Sequence, residues 1–180
     1  WRHRSGAVAE VADDLLRHLA LQVREPGRGD GILLAGLEQH RVDGVWFAAA
    51  AFTNLSQDHL DYHGAMDSYR RAKLRLWELV KPGGIAVINA DAADGAVFEA
   101  EAKRRELDIV LCGWRAPRAH ALKIVEIQPR PNAQTLTLLW TGKETDVELP
   151  LIGEFQALNA VCAAALALAL GEAPEAVWAG

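Results

Sequence analysis

Between positions 53 and 63 the sequence gathers Thr53, Asn54, Ser56, Gln57, Asp58, His59, Asp61, Tyr62 and His63 into one run. Carboxylates and imidazoles at this density suit a hard cation, or the orientation of a phosphate. The run follows residues 44–53, a small-apolar stretch that reads as a strand buried on both faces. In open α/β sheets, ligands collect just past the carboxyl ends of such strands. The same residues also suit a solvated loop with Ser56 as a helix N-cap. Spacing alone leaves both readings open.

Lys73 is the second candidate. Residues 65–80 read as a helix, stopped by Lys81-Pro82-Gly83-Gly84. At about 100° per residue, Met66, Tyr69, Leu76, Trp77 and Val80 form one apolar stripe with Lys73 near its centre. A lysine there is costly unless it is paired, neutral or modified. It either snorkels to solvent or presents a reactive amine, which can add carbon dioxide and become an anionic carbamate able to bind Mg²⁺. Two weaker candidates flank this region. In Gln39-His40-Arg41, the arginine could clamp a carboxylate or phosphate, or simply be solvated. In the segment 151–159, Phe155 and Asn159 lie four apart on one helical face. Asn159 is out of place by propensity within an alanine-rich helix. It either bonds a ligand's ring nitrogens or satisfies a nearby loop.

The elements that must position these residues alternate in type. Residues 7–22 read as a helix and 24–31 as a loop. Strands are expected at 44–53, 85–90 and 107–112, with a helix over 92–105. Segments 121–128, 134–141 and 144–151 alternate in polarity between turn residues, as in an antiparallel meander. Helices are expected at 154–170 and 174–179. The fold class is therefore α/β: a mostly parallel, Rossmann-like sheet flanked by helices, with an appended small antiparallel sheet.

Composition sets the outer bounds. With 180 residues, 51% hydrophobic and 24% charged, most of the chain is not disordered. A net charge of −5 without a basic stripe argues against nucleic acid as a partner. Cys112 and Cys162 lack CxxC spacing, which argues against a zinc site or a disulfide framework. The apolar run at 157–170 falls short of the ~18 residues a membrane span needs. No signal peptide is read, and an opening Trp1 suits a piece of a longer chain.

The run EQHRVDGVWFAAAAFTNLSQDHLDYHGAMDSYRRAKLRLWE resembles the central ATPase domain of the Mur ligases. It is nearest the branch that adds a third residue, meso-diaminopimelate or lysine, to UDP-N-acetylmuramoyl-L-alanyl-D-glutamate. LPLIGEFQALNAVCAAALALALG resembles the same family's second nucleotide-binding motif. The resemblance covers residues 37–180 and implies ATP-dependent amide formation through an acyl phosphate. It implies His59 as a Mg²⁺ ligand and Lys73, as a carbamate, as the catalytic residue that helps hold a second Mg²⁺ and position the phosphate. Gln39 and Arg41 would contact the UDP-muramoyl-dipeptide. Asn159 would lie near the adenine, with Gln156 and Asn54 as further nucleotide contacts; many relatives have asparagine where Gln156 stands. Mg²⁺ and ATP are the implied cofactor and co-substrate. The implied partners are the UDP-N-acetylmuramoyl-dipeptide and a diamino acid, in a monomeric bacterial cytoplasmic enzyme of peptidoglycan synthesis. A non-catalytic nucleotide- or muropeptide-binding relative and a ligase like folylpolyglutamate synthase are the alternatives.

The chain departs from the family pattern in three places. No Gly-rich phosphate loop occurs in residues 1–36, and no GK[ST] occurs anywhere. The chain ends where the carboxy-terminal ligase domain is expected, so the isolated chain is expected to be inactive. The family's E-[AS]-S-S-H-G-L segment aligns with Gly31-Ile32-Leu33-Leu34-Ala35-Gly36-Leu37. Gly29 to Leu34 can be encoded GGC GAT GGA ATC CTC CTC, which one nucleotide later reads Ala-Met-Glu-Ser-Ser. With GCC for Ala35 and one restored A, the next codons read Ser-His, directly before Gly36. Residues 1–36 are thus expected to be a divergent or out-of-frame segment, and 37–180 an incomplete central domain.

Overall fold

The computed structural model describes residues 46–54 and 70–179. Six strands form one sheet in the order β1-β2-β3-β4-β5-β6. They are β1 (Phe47–Phe52), β2 (Val80–Asn89), β3 (Asp108–Gly113), β4 (Ala121–Pro129), β5 (Gln134–Trp140) and β6 (Lys143–Leu149). Strands β1 to β4 run parallel, and β4, β5 and β6 pair antiparallel. The expected meander is present, and it continues the parallel sheet edge to edge through β4. The described helices are α1 (Gly95–Arg104), α2 (Glu154–Ala169) and α3 (Pro174–Ala179), with a 3₁₀ turn at Arg75–Leu79 that follows helical residues 70–74.

Alternation along β1 and β2 divides the core in two. Ala50 and Phe52 of β1, with Ala86 and Ile88 of β2, face Trp77 and α1's Phe98 and Ala102. Ala51 and Val87 face the opposite way, toward Ala157, Val161, Cys162 and Ala165 of α2. The carboxyl-terminal half of β2 is closed to water on both sides: Ala86, Val87 and Ile88 are each 0% exposed. A period of two with apolar residues at both phases explains the unbroken apolar runs. On the first face Phe52 stacks on Phe98 at 3.6 Å, and Trp77 meets Phe98 edge-on at 6.1 Å. The Trp77 indole donates to the Phe98 carbonyl at 3.2 Å, so the buried ring keeps its polar group satisfied. On the second face Cys112 and Cys162 are free, and their sulfurs lie 3.1 Å apart, joining β3 to α2. Their hydrogen bond, then burial, pushes the Cys112 thiol well above its ordinary pKa.

Two expectations shift. The helix expected over 65–80 is described only from residue 70. It tightens after residue 74 into a 3₁₀ turn, Arg75–Leu79, and Val80 already belongs to β2. Residues 81–84, read as a helix stop, instead form an irregular start to β2, where the β1 register slips between Phe47 and Ala49. Gly83 supplies the positive φ of +67° that this bulge requires. The tightening brings Trp77 into the core, at 1% exposure. The second shift concerns β3 and β4. They are parallel neighbours joined by only seven residues, 114–120, because pairing is confined to 111–113 against 121–123. The stagger removes the long return that a parallel crossover ordinarily needs. The expected helix 7–22 and loop 24–31 lie outside the described residues.

Salt links hold α1 to the 3₁₀ turn. Glu101 accepts from both Arg104 and Arg105, and Arg105 reaches Glu78 at 3.0 Å. The Arg104 hydrogen bond, against an opposing burial effect and with further help from Arg105, holds Glu101 down to about 2. A carboxyl depressed in the folded state contributes stability above its ordinary pKa of 4.5, and loses it as pH falls toward 2. The stability gap between the parent chain and Glu101→Gln is therefore expected to be constant above pH ~5 and to close between about 4.5 and 2. Urea unfolding across that range checks it.

Candidate functional site

Strands β1, β2 and β3 end side by side, and the site is built from the residues just beyond their carboxyl ends. β1 delivers Thr53, which is buried, and Asn54, which is half-buried. The helical residues 70–74 then bring Lys73 back, and its amine donates to the Asn54 carbonyl at 3.4 Å. Lys73 is half-buried. It thus sits beside the strand end, while Trp77 and Val80 of the expected stripe lie in the core and Leu76 is half-buried. Met66 and Tyr69, the other expected stripe members, lie outside the described residues.

β2 ends in Asn89, which is 4% exposed. Its amide donates to the Thr53 carbonyl at 2.9 Å and its oxygen accepts from the Asp91 backbone at 2.9 Å. Asp91 in turn accepts the backbone N–H of Trp114 at 2.6 Å and of Arg115 at 3.2 Å, just past β3. Gly113 makes that approach possible. It holds φ +109°, and a Cβ there would run into the Asp91 carboxylate. Any other residue would add strain to collision.

The fourth wall is the start of α2. Gly153 turns the chain with φ +98°, and the Gln134 amide donates to its carbonyl at 3.1 Å. The Trp114 indole donates to Glu154 at 2.8 Å, tying the turn after β3 to the helix. Inside α2, Ala157, Val161, Cys162, Ala165 and Leu166 form the buried stripe. Gln156 and Asn159 are half-buried beside it. The Asn159 amide nitrogen is buried and has no hydrogen-bond partner among the described residues. Leaving a buried donor unpaired costs about 1–3 kcal/mol. A ligand acceptor such as a heterocyclic ring nitrogen would recover that cost. Ile152 and Phe155 are exposed, and a depression lies between Trp114, Ile127, Pro129 and Ile152.

Of the sequence candidates, Asn54 and Lys73 are in contact, and Gln156 and Asn159 share the first turns of α2. His59, Gln39 and Arg41, with Ser56, lie outside the described residues. Among the described residues no group of three His, Cys, Asp or Glu could hold a metal. The sequence reading missed Asn89, Asp91, Trp114 and Glu154. Asn89-Ala90-Asp91 directly after an apolar strand was a legible signal, since it occupies the same strand-end position as Thr53-Asn54.

Comparison with known proteins bears on the family and the fold. The Mur ligase middle domain profile matches residues 34–167. The chain is 39% identical over 166 residues to a UDP-N-acetylmuramoyl-L-alanyl-D-glutamate–2,6-diaminopimelate ligase of Caulobacter vibrioides, covering 92% of this chain and 32% of that protein. It is 40% identical over 172 residues to the enzyme of that name from Bradyrhizobium diazoefficiens, covering 94% and 34%. A solved structure of a ligase of the same name superposes with a TM-score of 0.70 at 30% identity, covering 81% of this chain and 30% of that one. The chain thus spans about a third of the length of the curated relatives it matches.

Proposed function

The chain belongs to the Mur ligase family, and we propose that it supplies nucleotide-binding and phosphoryl-positioning parts of a ligase that joins 2,6-diaminopimelate to UDP-N-acetylmuramoyl-L-alanyl-D-glutamate. The observation that carries the reading is the return of Lys73 to the end of β1, in a chain this similar to diaminopimelate ligases. In this reading the enzyme acts in the bacterial cytoplasm as a monomer. The glutamyl carboxylate attacks the γ-phosphorus of ATP and ADP leaves. The diamino acid's amine then attacks the acyl carbon, forming the amide and releasing phosphate.

The neutral Lys73 amine adds carbon dioxide, forming an N–C bond and releasing a proton. The product is a carbamate whose oxygens are suited to Mg²⁺. His59 would hold one Mg²⁺, and that carbamate would help hold a second. Mg²⁺, when bound, offsets the negative charge on the transferring phosphoryl oxygens. Asn159 satisfies its buried amide on the adenine, Gln156 and Asn54 make further nucleotide contacts, and Gln39 and Arg41 take the UDP-muramoyl-dipeptide. The orphaned Asn159 donor is what supports a base-binding role. Calorimetry of the 180-residue chain is expected to show saturable Mg·ATP binding. Lys73→Ala should weaken it about tenfold, near 1.4 kcal/mol, and leave adenosine binding unchanged. Asn159→Ala should weaken both ligands. Absence of saturable Mg·ATP binding, or indifference to both substitutions, would overturn the reading.

We also propose that the segment ending at about Ala35 is read out of frame. The coding DNA is expected to carry codons that give Met-Glu-Ser-Ser when read one nucleotide later. Codons incompatible with that reading would end the proposal and favour a non-catalytic binding relative, because the family's glutamate position would truly be Gly31.

A further inference from the structure

Five residues at and beyond the strand ends form a continuous hydrogen-bonded chain. Thr53 accepts from Asn89, Asn89 accepts from the Asp91 amide, and Asp91 accepts from the Trp114 amide. The Trp114 indole then donates to Glu154, the first residue of α2. One end of this chain adjoins Asn54, the acceptor of the Lys73 amine; the other lies two residues from Gln156. We infer that Asn89 and Asp91 are positioning residues that lock the end of β1 to the start of α2, so that the Lys73 and Asn159 sides of the site keep one geometry. This rests on the roles proposed above for Lys73 and Asn159.

The chemistry of each link explains the residue type. Asn89 must donate to a carbonyl and accept from an amide at once, in a place water does not reach. A carboxamide supplies both functions, whereas a carboxylate supplies only acceptors. Asp91 gathers two backbone N–H groups, and charge-assisted acceptance is the stronger kind. Its Trp114 partner is held from the other side too, because the Lys123 amine donates to the carbonyls of Trp114 and Ala116. The turn after β3 is therefore pinned at both its amide and its carbonyl groups. A network serving only the sheet would end at β3; this one continues through an indole to the helix that bears Gln156 and Asn159.

Asn89→Asp tests the inference, because it keeps size and acceptor but removes the donor to Thr53. Val87→Ala, two residues away on the α2-facing side of β2, serves as a destabilised control that leaves the network intact. In hydrogen exchange read by mass spectrometry on the 180-residue chain, Asn89→Asp is expected to accelerate exchange at least tenfold in peptides ending β1 and in peptides covering 153–159. Peptides from β4 and β5 should change little. Val87→Ala should not give that two-ended pattern. Acceleration confined to β1 and β2, or spread evenly, would overturn the inference. The second readout is the Lys73 carbamate, seen by NMR with ¹³C-bicarbonate and identified by its loss in Lys73→Ala. Asn89→Asp should lower that signal at least threefold, and Val87→Ala should keep it. An unchanged signal in Asn89→Asp would overturn the positioning role. If the parent chain shows no carbamate, the Lys73 assignment fails instead, and the exchange pattern alone decides the network.

Discussion

The last residues of β2, Ala86 to Asn89, are sealed from water on both faces, and that constraint governs everything at the strand's carboxyl end. Ala86, Val87 and Ile88 pack against two separate clusters, so no solvent reaches the strand to satisfy polar groups where the ladder runs out. Asn89 resolves this from within by joining Thr53, at the end of β1, to Asp91, just beyond its own strand. An unpaired buried amide would cost about as much as a large fraction of a domain's net stability. The position therefore fixes the relative placement of the strand ends, and so of whatever projects from them.

The two faces divide the work. The aromatic contact of Phe52, Phe98 and Trp77 anchors α1 and the 3₁₀ turn, and so sets where the Lys73 segment returns to the sheet. The opposite face is smoother. Alanines and Cys162 along α2 let that helix lie close on β1, β2 and β3, with the Cys112 and Cys162 sulfurs in contact beneath it. The Trp114 indole holds the first residue of that helix, Glu154, beside the turn that follows β3. Aromatic bulk thus packs one face of the parallel strands and small residues the other, and the carboxyl ends of such strands are where parallel sheets bind ligands.

Much of this was legible in the residues. Unbroken apolar runs marked β1, β2 and β3, alternation marked the meander, and α2 begins at Glu154, directly after the turn that Gly153 marked. Lys73 and Asn159 were each conspicuous as polar residues in apolar surroundings; Lys73 reaches the Asn54 carbonyl, and the Asn159 amide is buried without a partner among the described residues. The bulge at 81–84 escaped, because Pro82-Gly83-Gly84 is as suited to ending a helix as to kinking a strand. The continuity of the sheet through β4 escaped too, since strand pairing between β3 and β4 is a long-range choice that local pattern does not encode. The Asn89–Asp91 network was hidden for the same reason: its partners are 36 and 23 residues away in sequence.

If the ends of β1 to β3 and the first turns of α2 form one nucleotide-binding edge, a single ligand must touch both sides of it. A crystal structure of the chain with Mg²⁺ and a non-hydrolysable ATP analogue tests this most directly. The adenine is expected on the Asn159 amide, with the phosphates running along the strand ends toward Lys73. A nucleotide seated elsewhere, touching neither Asn159 nor Lys73, would contradict it.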